Sequence, residues 1–122
     1  MATASVRTRV QRLDGGVTVL AVSGDIDMAT APAFADALSA ARALSDTVLI
    51  VDLTGVEFMG SAGLRVLVDA HQNTSGTEGF AVVAATTATR RPIEVTGLGD
   101  LLDTHSTLDL ALEAVRRRAS GI

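Results

Sequence analysis

The chain contains no cysteine, lysine, tryptophan or tyrosine in its 122 residues. Without cysteine there are no disulfides, thiolate nucleophiles, zinc–thiolate or iron–sulfur sites, and no switch that works by thiol oxidation. Without lysine no Gly-Lys-Ser or Gly-Lys-Thr stretch exists, which excludes a P-loop. Three phenylalanines are the only Phe, Trp or Tyr residues, leaving almost nothing on which bases could stack. The net charge of −4 sets the field of the molecule against phosphate backbones, so nucleic acid is not an expected partner. No apolar run approaches the ~20 residues of a membrane span, and "MATASVRTRV" lacks the apolar core of a secretory signal. The cytoplasm is therefore the expected compartment, with no membrane partner.

What is present suits one folded domain. Apolar residues make up 48% and charged residues 20%, a balance that favours a packed core over disorder. A chain of this length buries ~65% of the surface it exposes when unfolded. No Pro-rich or Gly/Ser-rich linker interrupts it, and only "MATAS" and the last few residues look loose.

Alternation in "VRTRVQRL" (6–13), turn residues "DGG" (14–16) and β-branched "VTVLAVSG" (17–24) predict a hairpin. "APAFADALSAARAL" (31–44) predicts a helix, with Thr30 able to cap, Pro32 in the first turn, and Phe34, Leu38 and Ala41 on one face. "TVLIVDL" (47–53) is a continuous apolar run suited to a central strand. From Ser61 the spacing becomes Leu64, Leu67, Val68, His71, a helix face, and decays into "NTSGTEG" (73–79). "FAVVAA" (80–85) predicts a strand, "RRPIEVTGLG" (90–99) a short helix entered through Pro92 and ended at Gly97, and "DLLDTHS" a last short strand. Ser106 and Asp109 resemble a capping arrangement before a terminal helix on Leu108, Ala111, Leu112 and Val115. The run Arg116–Arg118 closes that helix, where cations oppose the negative end of its dipole. The order β, β, α, β, α, β, α, β, α implies an α/β domain in which about four helices flank a mixed sheet.

One stretch stands out. "FMGSAGL" (58–64) breaks an apolar run at Gly60 and places a hydroxyl, Ser61, where strand passes to helix. Such a turn lies at the carboxyl edge of a sheet, where α/β folds place their sites. Ser61 reads either as a helix N-cap or as a group left approachable by its small neighbours Gly60, Ala62 and Gly63. A hydrolase elbow needs glycine two residues before and after the serine, and here those positions are Met59 and Gly63. His71, ten residues along the same helix, lies roughly 15 Å away and is no base for it, which leaves His105 as the remaining candidate. "TGLGDLL" (96–102) lacks the third glycine of a dinucleotide fingerprint and reads as a helix end and turn. Asp25 and Asp27 bring acid to the same edge, as turn or cap residues or as two oxygen ligands without the further acids a metal site needs. No metal and no cofactor is expected.

Three stretches together resemble one family, the STAS domain of bacterial anti-sigma-factor antagonists. "VSGDIDMATAPAF" (22–34) is similar to its Gly-acid-apolar-Asp segment, "VDLTGVEFMGSAGLRVL" (51–67) to the signature around its regulatory serine, and "PIEVTGLGDLL" (92–102) to its late helix and turn. The resemblance implies a single STAS domain over about residues 6–118, without enzymatic activity. It further implies binding to an anti-sigma factor, usually a serine kinase of the histidine-kinase-like ATPase fold. That binding would free a sigma factor for transcription, as in stress signalling. Ser61 matches the serine that the kinase phosphorylates to end the partnership, and Asp27 matches an acidic residue beside it. The expected partner surface comprises Asp25, Asp27, Met59, Gly60, Ser61, Ala62, Gly63 and Arg65. Many members carry Asp before the serine and Ser or Thr after it; here Gly60 and Ala62 leave Ser61 as the single hydroxyl of the motif. The alternative is a small serine hydrolase or nucleotide-binding domain using the same edge.

Overall fold

A computed structural model describes residues 5–44, 48–73 and 79–119, without the side chains of Arg118 and Ala119. The expected loose ends at 1–4 and 120–122, residue 47 of the third expected strand and most of the 73–79 loop lie outside the described residues.

Among the described residues nine elements follow in the expected order: β1 (Val6–Leu13), β2 (Val17–Ile26), α1 (Ala31–Leu44), β3 (Val48–Met59), α2 (Ser61–Gln72), β4 (Gly79–Val83), α3 (Thr87–Val95), β5 (Thr104–His105) and α4 (Leu108–Ala119). The five strands form one mixed sheet in the order β1-β2-β3-β4-β5, with β1 antiparallel to β2 and the remaining pairs parallel. Each parallel pair is joined through a helix, as parallel connections require.

The sheet separates two hydrophobic layers. On one face Leu20, Val22, Ile26, Leu49, Val51 and Leu53 meet Phe34 and Leu38 of α1, Leu64 and Leu67 of α2 and Ile93 of α3. On the other, Val17, Val19, Val48, Ile50, Ala81 and Val83 meet Ala111 and Val115 of α4. The continuous apolar run at 48–51 is thus buried on both sides, as a central parallel strand demands.

Several boundaries differ from expectation. β3 runs to Met59 rather than ending at residue 53, and β2 reaches Ile26. Two register shifts between them, at Ala21/Ser23 and Gly24/Asp25, break the alternation of buried and exposed residues, so the period of two vanishes while the pairing continues. α3 begins at Thr87 and holds Pro92 in its interior. Thr86 caps it through its carbonyl, which accepts from the amides of Thr89 and Arg90, and buried Thr89 and Ile93 anchor it. Its end is as expected: Gly97 (φ +73°) donates to Glu94 O at 3.0 Å and Leu98 to Ile93 O at 3.0 Å, a Schellman closure that requires a left-handed residue. Thr107, rather than Ser106, caps α4, its hydroxyl accepting from the Leu110 amide at 3.1 Å.

Candidate functional site

β2 and β3 end together. Ile26 is in register with Met59, and the Gly60 amide donates to Ile26 O at 2.9 Å. The loop leading to α1 and the turn leading to α2 therefore lie side by side at the carboxyl edge of the sheet.

The first is closed by side chains. Asp27 Oδ1 accepts from the amides of Ala29 (2.9 Å) and Thr30 (3.0 Å) and from the Thr30 hydroxyl (3.2 Å). The Thr30 hydroxyl also donates to Asp25 O at 2.8 Å and accepts from the Asp27 amide at 2.9 Å. Asp27 is consequently an Asx-turn residue at the start of α1, and it makes no hydrogen bond to Ser61.

The second turn is a single residue. Gly60, extended at φ −89° and ψ −176°, is the N-cap of α2 and offers no side-chain bond; its carbonyl accepts from Gly63 (3.1 Å) and Leu64 (3.3 Å). Ser61 is the first residue inside the helix, which corrects the reading of Ser61 as the cap. A serine inside the first turn cannot reach back to the amides that a cap satisfies. Its side chain is exposed and makes no hydrogen bond among the described residues, and the amides of Ser61 and Ala62 are likewise unpaired there. Those free amides and the positive end of the dipole suit an anionic group on this hydroxyl.

The expected partner residues divide by burial. Ser61 and Arg65, one helical turn apart, are exposed, while Asp25, Asp27, Gly60 and Ala62 are half-buried. Met59, 3% exposed, and Gly63 are buried and support the surface from beneath. A Cβ on Gly63 would lie 2.7 Å from Ile26 Cγ2 and 2.9 Å from Met59 Cγ. The small residue is needed so that α2 can seat against the strand ends.

Sequence reasoning missed two residues. Met28 in the α1 loop is 80% exposed and Phe58 at the end of β3 is 53% exposed, large apolar groups turned to solvent at the same edge of the sheet as the serine. Phe58 stands in an apolar stretch that reads as core, but neighbouring Met59 takes the place in the core layer and Phe58 turns away from it. Met28 carried a usable signal, an apolar side chain within a polar turn.

The enzymatic alternatives find no support. His105 sits at the level of Val83 and Asp52, two strands away and seven residues short of Met59, roughly 20 Å from Ser61 at the usual strand rise; its ring pairs with Asp103 at 3.0 Å. The glycines at 97 and 99 belong to the α3 terminus and its turn. Among the described residues no group of three acidic, histidine or cysteine side chains could hold a metal, and no helix is long and apolar enough to cross a membrane.

Known proteins agree with this geometry. The family model of the STAS domain matches residues 9–111. An anti-sigma-F factor antagonist of Mycobacterium tuberculosis, RsfB, is 42% identical over 101 residues, 83% of each chain. An anti-sigma-B factor antagonist of Listeria monocytogenes is 35% identical over 83 residues, 67% of this chain and 73% of its own. The crystal structure of an anti-sigma factor antagonist from Mycobacterium paratuberculosis superposes with a TM-score of 0.86 at 48% identity, covering 91% of this chain and 94% of that one. With the α/β order, the mixed sheet and the serine turn all in place, the chain belongs to the STAS domain family.

Proposed function

We propose that this STAS domain is an anti-sigma-factor antagonist that docks through the edge around Ser61 and is released when that serine is phosphorylated. It is a regulatory binding protein rather than an enzyme, in keeping with its relatives. The observation that carries the reading is the exposed Ser61 hydroxyl, free of hydrogen bonds among the described residues, at the sheet edge where Met28 and Phe58 are also exposed. The exposed apolar groups supply binding area, and one hydroxyl that can carry a phosphate supplies the switch.

The partner is an anti-sigma factor carrying a serine kinase of the histidine-kinase-like ATPase fold, and docking frees its sigma factor. Phosphate on Ser61 adds roughly −1.5 to −2 charge. Unpaired amides receive that charge on this chain, so the fold persists and the melting temperature stays level or rises by the equivalent of ~0.3 to 1 kcal/mol. A docked neighbour must instead desolvate a dianion beside Phe58, and a loss of ~1.4 kcal/mol already lowers affinity tenfold.

The test is a binding titration and a kinase assay on purified partners. Ser61→Ala retains binding, escapes phosphorylation and leaves stability within ~0.5 kcal/mol, because no capping bond is lost. Ser61→Glu weakens binding, and Phe58→Ala with Met28→Ala lowers it by at least ~2 kcal/mol, as expected for exposed apolar anchors. Phosphorylation of Ser61→Ala at the wild-type rate would refute the site, and wild-type affinity in the Phe58/Met28 double variant would refute the surface.

A further inference from the structure

Among the described residues, the second face of the sheet is covered only in part. α4 packs over Val17, Val19, Val48, Ile50, Ala81 and Val83. Beyond Val19 and Ile50 the same face continues as Ala21 and Ser23 on β2 and Asp52 on β3, with Arg7 and Arg9 beside them on β1. Over these residues runs an open trough of about 480 Å³.

Its charges are sorted by strand. Arg7 and Arg9 are exposed on β1 and have no ion-pair partner among the described residues. Asp52 on β3 uses Oδ1 to accept from the Thr54 amide (3.0 Å) and hydroxyl (2.5 Å), which leaves Oδ2 open. The register places Arg9, Ala21 and Asp52 in one row across three strands, and Arg7, Ser23 and Gly55 in another. Neighbouring strands are ~4.8 Å apart, so the backbones that carry Arg9 and Asp52 stand ~10 Å from each other with only the small side chain of Ala21 between them.

Neither sign of simple ion fits such a row, since an anion meets Asp52 and a cation meets two guanidiniums. The surface that fits has the opposite order, acid over β1 and cation over β3. A second copy of the chain, turned over about an axis along β2, has that order. Ala21 and Ser23 on the axis let the two sheets approach toward the ~10 Å spacing of packed sheets. α4 packs mainly on β3, β4 and β5 and shares a cluster with β2 only at Val17 and Val19, which leaves the row of Arg9, Ala21 and Asp52 outside it.

We propose that this uncovered half-face is a self-complementary docking surface for a second copy of the chain, with Arg9 of each copy paired to Asp52 of the other. Such an interface is isologous, and because its ion pairs are open to solvent the association is weak and salt-sensitive. It lies apart from Ser61 and does not depend on the regulatory reading of that serine.

Sedimentation velocity over a concentration series tests the proposal. Wild type forms a dimer in about 0.05 M salt and loses it toward about 0.5 M. Arg9→Asp sets acid against acid and Asp52→Arg sets cation against cation, each raising the dissociation constant by about tenfold or more. An equimolar mixture of the two variants recovers association as a heterodimer, because every like-charged contact becomes an opposite one. Asp52→Asn keeps the acceptor for Thr54 and removes the charge; it weakens the dimer less, and with Arg9→Asp it carries the test if melting curves show that Asp52→Arg does not fold. Wild type that stays monomeric to about 1 mM, Arg9→Asp that dimerises like wild type, or two folded variants that fail to associate when mixed would overturn it.

Discussion

Two strand-to-helix turns lie next to each other at one edge of the sheet, and they are built by opposite means. Between β2 and α1, the carboxylate of Asp27 and the hydroxyl of Thr30 are both bound inward, to loop amides, a carbonyl and each other. Between β3 and α2 a single glycine turns the chain, and the following serine hydroxyl, its amide and that of Ala62 make no hydrogen bond among the described residues. The first turn spends its polar groups on holding shape. The second keeps them available, and its shape comes from below, where Gly63 lets α2 rest on Ile26 and Met59. Rigid support beneath an unpaired hydroxyl suits the docking surface proposed above, because an added charge would then change what the surface binds without melting the element that carries it.

The largest expected effect attacks the support of the second turn. Gly63→Val forces carbon into a space where even a Cβ lies 2.7 Å from Ile26 and 2.9 Å from Met59, and overpacking of this kind costs about 3 kcal/mol. Urea unfolding should show a lower midpoint at unchanged slope; an unchanged midpoint would mean that α2 is not seated by close packing at this residue.

The next effect belongs to the first turn. Asp27→Ala removes the acceptor for two amides and a hydroxyl and should lower stability by ~1 to 2 kcal/mol, whereas Asp27→Asn retains an oxygen in the same place and should cost less than ~0.5 kcal/mol. Equal losses in the two variants would assign the role to charge instead of hydrogen bonding. The smallest effect would make the turns alike. Gly60→Asp finds room, its Cβ no closer than 3.5 Å to the Phe58 ring, and supplies the missing cap, a gain of a few tenths of a kcal/mol that thermal melting should read as about 1 to 2 °C. A fall in melting temperature would show that the second turn depends on glycine for more than its lack of a side chain.

Much of this was legible in the chain itself. Phe34, Leu38 and Ala41 are spaced as one helical face and are buried as one; the run at 48–51 is apolar without alternation and is covered on both sides; Gly97 ends a helix because the closure there needs a left-handed residue. These are local matters, settled by periodicity and by the conformations single residues can adopt. The motif around Ser61 was equally visible, as was its place between strand and helix.

What the sequence left open was decided by contacts between segments distant in the chain. The exposure of Phe58 depends on which face of the sheet the helices cover at this edge, where Met59 is packed and Phe58 is not, and no residue in 48–59 announces that. The capping role passes from Ser61 to Gly60 because Gly60 is tied to Ile26 on the neighbouring strand, which fixes where the first helical turn begins. Arg9 and Asp52, 43 positions apart in the sequence, fall into one row only when β1 and β3 pair on either side of β2. Sequence determined the elements and the motif around Ser61, since propensity and hydrophobic period act within a few residues; the tertiary structure decided which groups face solvent together, since strand register and packing are settled only when remote segments meet.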